Sequence, residues 1–311
     1  MPEGRYLFSV DGGGTKTEYC VYDMDLRKMQ SFRFGSTNYK NIGLKEAASR
    51  LKNAFYTICD SLNIELQEIQ GMVIGVSGCD TESDYAVYQS IVKHMGLDLK
   101  KVYICNDSEF VFLSVADKPG ICVISGTGSI AVGFDKEGKT YRCGGWGRPL
   151  SDLGSGYWIG EQMLKKWIKY CDGQEAYNEI YQTLEEFYHF EKAEELPYYI
   201  AAMSQRDITA AAHLVCDGAD RGNSLCGQVV AEAAAETADL AVAVYERIDP
   251  EKQEKIHVVI SGSIFKGDFY RRTFQGIFRE KTGHGNIEYI PLNQSPAQAG
   301  IRLARDIFHA N

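Results

Sequence analysis

The apolar positions of this chain change period several times. RYLFSV (5–10) is a short, nearly continuous apolar run, and EYCVYD (18–23) follows it across a glycine-rich turn. The pair predicts two strands of a hairpin. MQSFRFG (29–35) predicts a third strand, and GSTNYKNIG (35–43) a polar loop. From Leu44 to Leu62 the residues Leu44, Ala47, Ala48, Leu51, Ala54, Phe55 and Ile58 recur at helical spacing. GMVIGVS (71–77) predicts a buried strand, GCDTESD a loop, Tyr85 to Met95 a helix, and KVYIC (101–105) a strand ending in NDSE. Strands joined by helical crossovers make an α/β unit with a partly parallel sheet.

A second pass of similar parts starts near Pro119. GICVISGTGSIAVGFD (120–135) predicts strand, glycine turn and strand, and KTYRCGGWG (139–147) a third strand and turn. Residues 156 to 170 and most of 174 to 248 predict helices, the latter with alanine-rich runs such as AEAAAETADLAVAVYERI. IHVVISGSIF (256–265) returns to strand and glycine turn, and PAQAGIRLARDIF predicts a closing helix. SVDGGGTKTEYCVYD and VISGTGSIAVGFD share one plan, which points to duplication at the level of fold. The expectation is two α/β domains, 1–117 and 118–311. The last helix, about 296–309, packs back on the first, and ligands occupy the cleft between the halves.

Composition narrows the class. The 311 residues carry a formal net charge of -9, which argues against a nucleic-acid partner. No apolar stretch approaches membrane-spanning length. The start, MPEGRYLFSVDGGG, lacks the features of a signal peptide, so a cytoplasmic location is expected. None of the nine cysteines forms a C-x-x-C. Reduced thiols in a core are one reading; a structural zinc or an iron–sulfur site is the other.

Three consecutive glycines behind Asp11 are costly in backbone entropy. A tight turn without side chains presents backbone N–H groups to an anion. Gly12, Gly13 and Gly14 form that turn, with Thr15, Lys16 and Thr17 as added donors. SGTGS supplies a second, with Thr127, Gly128 and Ser129. Two such loops can grip one polyphosphate. Neither is a Walker A loop or a Rossmann fingerprint, because the spacing differs and each turn leads into a strand. Without a ligand they would be structural hairpins. Asp11 suits Mg²⁺ held through water, or else caps its turn. Asp107, just beyond a strand end, suits acceptance of a hydroxyl proton during phosphoryl transfer, or else caps the next helix. GGWGRPLSDLGSGYWIG (144–160) puts six glycines, two tryptophans and Asp152 in one segment. A flat aromatic surface beside a carboxylate suits a sugar; a glycine-rich structural loop is the alternative.

These motifs resemble the ASKHA superfamily of actin, sugar kinases and heat-shock chaperones. More closely they resemble the BadF/BadG/BcrA/BcrD ATPase family and its N-acetylglucosamine kinases. DGGGTKT resembles the first phosphate motif, VISGTGS the second, VVISGSIFK the adenosine motif, and SPAQAG the closing helix start. GGWG-x-x-x-D-x-GSGYWIG resembles the sugar-site segment. The resemblance implies two actin-like (ribonuclease H-like) domains, ATP and Mg²⁺ as cofactors, and a homodimer as one arrangement. It implies that Thr15, Thr127 and Ser129 contact phosphates and that Asp107 is the catalytic base and a sugar ligand. Asn38, Gly145, Trp146, Gly147 and Asp152 would bind the sugar, and Gly218, Gly262 and Ser263 would line the adenosine side. Read without the resemblance, Asn38 is a turn residue and Gly218 a helix break. The chain departs from the family's G-D-E-G-S by reading Ser151-Asp152-Leu153-Gly154-Ser155. That removes an acid near the sugar site and leaves the sugar open between N-acetylglucosamine and a bulkier one such as N-acetylmuramic acid.

The expected activity is an ATP-dependent amino-sugar kinase. One rival is an ATPase activating a 2-hydroxyacyl-CoA dehydratase, with cysteines such as Cys122 and Cys143 near a cluster. The other is a sugar sensor that binds without turnover.

Overall fold

The computed structural model describes residues 5–148, 150–190, 196–251 and 254–308. Contacts divide the chain into two compact units. One comprises the residues up to Asp117 together with those from Leu292 onward; the other is Lys118–Pro291.

In the first unit the expected hairpin forms from β1 (Tyr6–Gly12) and β2 (Lys16–Asp23), with β3 (Lys28–Gly35) on its outer edge. α1 (Tyr39–Ile42) and α2 (Leu44–Leu62) lead to β4 (Ile69–Val76), and α3 (Glu82–His94) leads to β5 (Val102–Asn106) and α4 (Asp107–Leu113). The sheet order is β3-β2-β1-β4-β5, antiparallel across β1 to β3 and parallel from β1 to β5. β1 is central, and its side chains alternate between two cores. Phe8 and Val10 meet α2 residues such as Leu51, Phe55 and Ile58, while Leu7 joins Phe110, Leu303 and Ala304 on the opposite face. A strand covered on both faces reads as a continuous apolar run.

The second unit repeats this order. β6 (Gly120–Ser125), β7 (Ser129–Phe134) and β8 (Thr140–Gly144) are antiparallel neighbours. α5 (Gly156–Cys171), α6 (Glu179–Tyr188), α7 (Leu196–Ala202), α8 (Gln205–Asp220) and α9 (Ser224–Ile248) precede β9 (Ile256–Ser261). α10 (Asp268–Thr282) connects to β10 (Ile287–Pro291). The sheet order is β10-β9-β6-β7-β8, with β9 and β10 parallel to β6. α10 and β10 are absent from the sequence reading.

The closing helix is two pieces, α11 (Pro296–Ala299) and α12 (Ile301–Phe308), separated at Gly300. A Cβ at Gly300 would lie 2.2 Å from Ser9 Oγ and 2.4 Å from the Phe110 ring, so the segment is seated directly on the first unit. Residue 309, included in the expected helix, lies outside the described residues. Among the described residues, no helix is long and apolar enough to cross a membrane. Burial pushes the thiol of Cys59 up to about 11, and those of Cys79, Cys216 and Cys226 up to about 12.

Candidate functional site

In the first unit, three strand ends stand in one row. Gly12 of β1 is paired with Val76 of β4, and Val76 with Asn106 of β5. Neighbouring strands are about 4.8 Å apart, so the first glycine turn and the residues beyond β5 lie roughly 10 Å apart at one edge. That is the carboxyl edge of the parallel strands, where open α/β sheets bind ligands. The turn closes with a Gly13 amide donating to the Lys16 carbonyl at 2.9 Å, while Gly14, Thr15 and Lys16 are exposed. Thr17 does not act as the expected donor. Strand alternation turns it inward, and its hydroxyl bonds to that of Thr37 at 2.9 Å.

Asp107 does not cap α4. Asn106 does, its Oδ1 accepting the Ser108 amide at 2.8 Å. Asp107 Oδ1 shares that amide at 2.9 Å, and the Ser77 side chain also donates to the carboxylate. Burial is the main reason its carboxyl lies above the usual range; the hydrogen bonds pull the other way, and the Asp80 charge adds to the rise. Asp11 is pushed up to about 7, first by burial, then by the charges of Asp107 and Glu18, with Lys16 opposing. Asn38 is the N-cap of α1: its Oδ1 accepts the Lys40 amide at 3.0 Å. Its own amide receives Ser36 Oγ as acceptor at 3.2 Å, and Ser36 Oγ in turn donates to the Gly13 carbonyl at 3.1 Å. The polar loop 36–38 is therefore fastened beneath the first glycine turn.

In the second unit the glycine turn sits at the start of α5. The Gly156 amide donates to the Gly126 carbonyl at 2.7 Å, and Tyr157 to Thr127 at 3.3 Å. Asp152, at a φ of 65°, accepts the Ser129 amide at 3.3 Å. Ser129 Oγ donates to the Leu153 carbonyl at 2.6 Å. Both Ser129 groups are thus used inside the unit, and Thr127 is the exposed hydroxyl of this turn. The sequence reading placed Asp152 beside an indole. The structure places it beneath the phosphate-type turn, while the exposed Trp146 stacks under the Arg142 guanidinium at 3.9 Å. Gly145 is tied to the same turn, its amide donating to the Ser129 carbonyl at 3.0 Å, and Gly147 accepts the Ser151 amide.

Gly262 follows β9 with a φ of 105°, and a Cβ there would lie 2.1 Å from the Ser125 carbonyl oxygen. Ser263 opens the next short turn. Gly218 is not a helix break: α8 continues to Asp220, and a Cβ at 218 would lie 2.6 Å from Cys226 Sγ of α9. Gly218 also lines a cavity of about 550 Å³ with Glu179, Asp217 and Arg221. Asp220 accepts the amides of Asp268 at 3.1 Å and Phe269 at 2.6 Å, joining the end of α8 to the segment after Ser263.

Several supporting residues escape a sequence reading. Tyr270, Ser125 and Thr237 hydroxyls converge on the Gly154 carbonyl at 2.9, 3.1 and 3.4 Å. Ser77 ends the run read as a buried strand, and Asp80 sits in GCDTESD, a stretch read only as a loop. Its T-E-S-D pattern is a capping-box signature, and Thr81 and Asp84 do cap α3 reciprocally. Cys122 on β6 and Cys143 on β8 are separated by β7.

The profile of the BadF/BadG/BcrA/BcrD ATPase family matches residues 9–301. The chain belongs to this family. Among its relatives, the N-acetylmuramic acid/N-acetylglucosamine kinase of Clostridium acetobutylicum is 25% identical over 304 residues, covering 97% of this chain and 98% of that protein. The N-acetyl-D-glucosamine kinase of Dictyostelium discoideum is 30% identical over 270 residues, 82% of this chain and 84% of that one. The fold recurs in a Chromobacterium violaceum structure proposed as an N-acetylglucosamine kinase, with a TM-score of 0.72 at 20% identity. That match covers 97% of this chain and 99% of the other. A ROK hexokinase from Thermus thermophilus has the same fold, with a TM-score of 0.60 at 14% identity, over 96% and 97% of the two chains.

Proposed function

We propose that this family member is an ATP-dependent kinase that phosphorylates a hydroxyl of an N-acetylated amino sugar, N-acetylglucosamine or N-acetylmuramic acid. The observation that carries the reading is the row Gly12–Val76–Asn106, which sets a phosphate-type turn and an aspartate that is not the helix cap at one sheet edge. The names of the two relatives supply the sugar class.

Asp107 accepts or orients the proton of the attacking hydroxyl, and its raised proton affinity suits a general base. Asn38 hydrogen-bonds the sugar from the loop under the first turn. The exposed segment Gly145–Trp146–Gly147 adds an aromatic face, and Asp152 fixes the second turn from below. Thr15, Lys16 and Thr127 donate to phosphate oxygens with the amides of Gly14 and Gly128. Ser129 shapes its turn through the Leu153 carbonyl. Gly218, Gly262 and Ser263 serve the adenosine side.

The residues at Asp11 fit a divalent cation. The charges of Asp107 and Glu18 oppose ionisation of the buried Asp11, and Lys16 opposes them. Among the described residues no cluster of three or more His, Cys, Asp or Glu side chains forms a full cage. Asp11 would hold Mg²⁺ through water, with nucleotide phosphates and water completing the shell. When bound, it neutralises the charge that develops on the transferred phosphoryl group.

The test is ADP release with Mg-ATP across N-acetylglucosamine, N-acetylmuramic acid, N-acetylmannosamine, glucosamine and glucose, with Asp107→Asn alongside. Turnover that depends on one acetylated sugar, and falls by roughly 10²-fold or more in the variant, is expected. Sugar-independent ADP release would overturn the reading.

A further inference from the structure

α1 and the end of β5 are bridged by charge. Lys40 Nζ lies 3.1 Å from Asp80 Oδ2 and 3.0 Å from Asp84 Oδ2. Asp80 Oδ1 accepts Asn106 Nδ2 at 2.9 Å. Asn106 Oδ1 and Asp107 Oδ1 share the Ser108 amide at 2.8 and 2.9 Å. On the other side, the Lys40 amide is the group that Asn38 Oδ1 caps, at 3.0 Å. An unbroken path therefore runs from Asn38 through Lys40, Asp80 and Asn106 to Asp107.

Two simpler roles for Lys40 do not account for this. It is not an open receptor for an anionic substituent, because two carboxylates already lie within 3.1 Å. Nor is it needed only to neutralise the buried Asp84. That carboxylate already accepts the amides of Thr81 at 2.8 Å and Asp80 at 3.0 Å, the Thr81 hydroxyl at 2.8 Å, and the Tyr39 hydroxyl. Asp84 is a fixed post. Asp80 is the half-exposed partner that reaches across to Asn106.

We propose that Lys40 and Asp80 are positioning residues, a bridge that holds the sugar-side loop at Asn38 in place relative to the strand end at Asn106–Asp107 and so sets affinity for the sugar rather than the nucleotide. This rests on the kinase reading above. Binding groups that must first be ordered relative to one another spend part of the binding energy on that ordering, so a fixed spacing raises affinity.

The experiment measures ADP release by the full chain, varying N-acetylglucosamine at saturating ATP and ATP at saturating sugar. Variants are Asp80→Asn, Lys40→Met, the double variant and Lys40→Arg. Asp80→Asn keeps an oxygen for Asn106 and puts an NH2 where the oxygen facing Lys40 stood, which removes both the charge and the hydrogen bond to Lys40. Each single variant is expected to lower kcat/KM for the sugar roughly tenfold, mostly through KM, with the KM for ATP within about twofold of wild type. The double variant should be no worse than the poorer single one, because the two residues act as a unit. Lys40→Arg should restore most of the loss. Equal shifts in both KM values, multiplying losses in the double variant, or unchanged kcat/KM in the singles would each overturn the proposal. Wild-type protein without sugar-dependent turnover would instead overturn the kinase reading, and the bridge with it.

Discussion

Gly128 and Asp152 share one small volume. A Cβ at residue 128 would lie 2.8 Å from Asp152 Oδ1, and the same oxygen accepts the neighbouring Ser129 amide. The bareness of this turn thus has a cause inside the protein, beside the phosphate role proposed for it. Gly128→Ala must push the carboxylate aside and release the Ser129 amide. The obstructing atom is a side-chain end, so stability should change by no more than about 1 kcal/mol. The kcat/KM for ATP should fall roughly tenfold or more, which is about 1.4 kcal/mol of barrier. Thermal melts beside steady-state kinetics check the split.

The Asp11 carboxyl holds its proton up to about pH 7, against an ordinary value of 3.8. The folded state therefore binds this proton more tightly than the unfolded chain. Its contribution makes stability fall as pH rises from about 4 to about 7, and then level off. Asp11→Asn removes the penalty. Its stability should match wild type near pH 4 and exceed it above pH 7, by at most about 4 kcal/mol. Denaturant titrations from pH 4.5 to 8.5 measure the difference. In the same variant, the extra thermal stabilisation that Mg²⁺ adds to ATP should disappear.

Gly262 faces an obstacle that cannot step aside, the Ser125 backbone carbonyl, and it combines that approach with a φ of 105°. Gly262→Ala should cost about 2–4 kcal/mol in chemical denaturation, from strain and displacement together.

Much of this was readable in the chain itself, and the exceptions share a reason. β1, β2, β4, β6 and β9 are runs buried strongly enough to announce themselves. α10 buries only Tyr270, Phe274 and Phe278 among many charges, and β10 is three half-buried and two exposed residues, so neither stands out. The glycine turns and Asp107 were legible because each sits at a strand end. Thr17 was misread because a list of donors ignores which way a strand residue points. Lys40 and Asp80 are 40 positions apart, and nothing local in either stretch names the other. Asp152 was singled out in the sequence by its glycine-rich surroundings, but its partnership with Gly128 depends on how the segment folds back.

The leucine at 153 presents its side chain to solvent and its carbonyl to Ser129, so any residue supplies the structural bond. Leu153→Glu should therefore leave stability within about 0.5 kcal/mol. If this segment faces the sugar, a carboxylate there repels one that carries its own. The ratio of kcat/KM for N-acetylmuramic acid to that for N-acetylglucosamine should drop roughly five- to tenfold. Competition between the two sugars in one assay reads this directly.

The return of α11 and α12 to the first unit has a consequence for synthesis. The first unit includes the first described strand, yet Ala297, Leu303 and Ala304 belong to its core, and Tyr22 donates to the Gln298 carbonyl. A nascent chain leaving the ribosome must hold that half-covered sheet open while the whole of Lys118–Pro291 is made. The later-encoded unit is the first that can finish. α11 and α12 then act as a latch on the earlier one, so removing them should damage a part of the protein encoded roughly two hundred codons upstream.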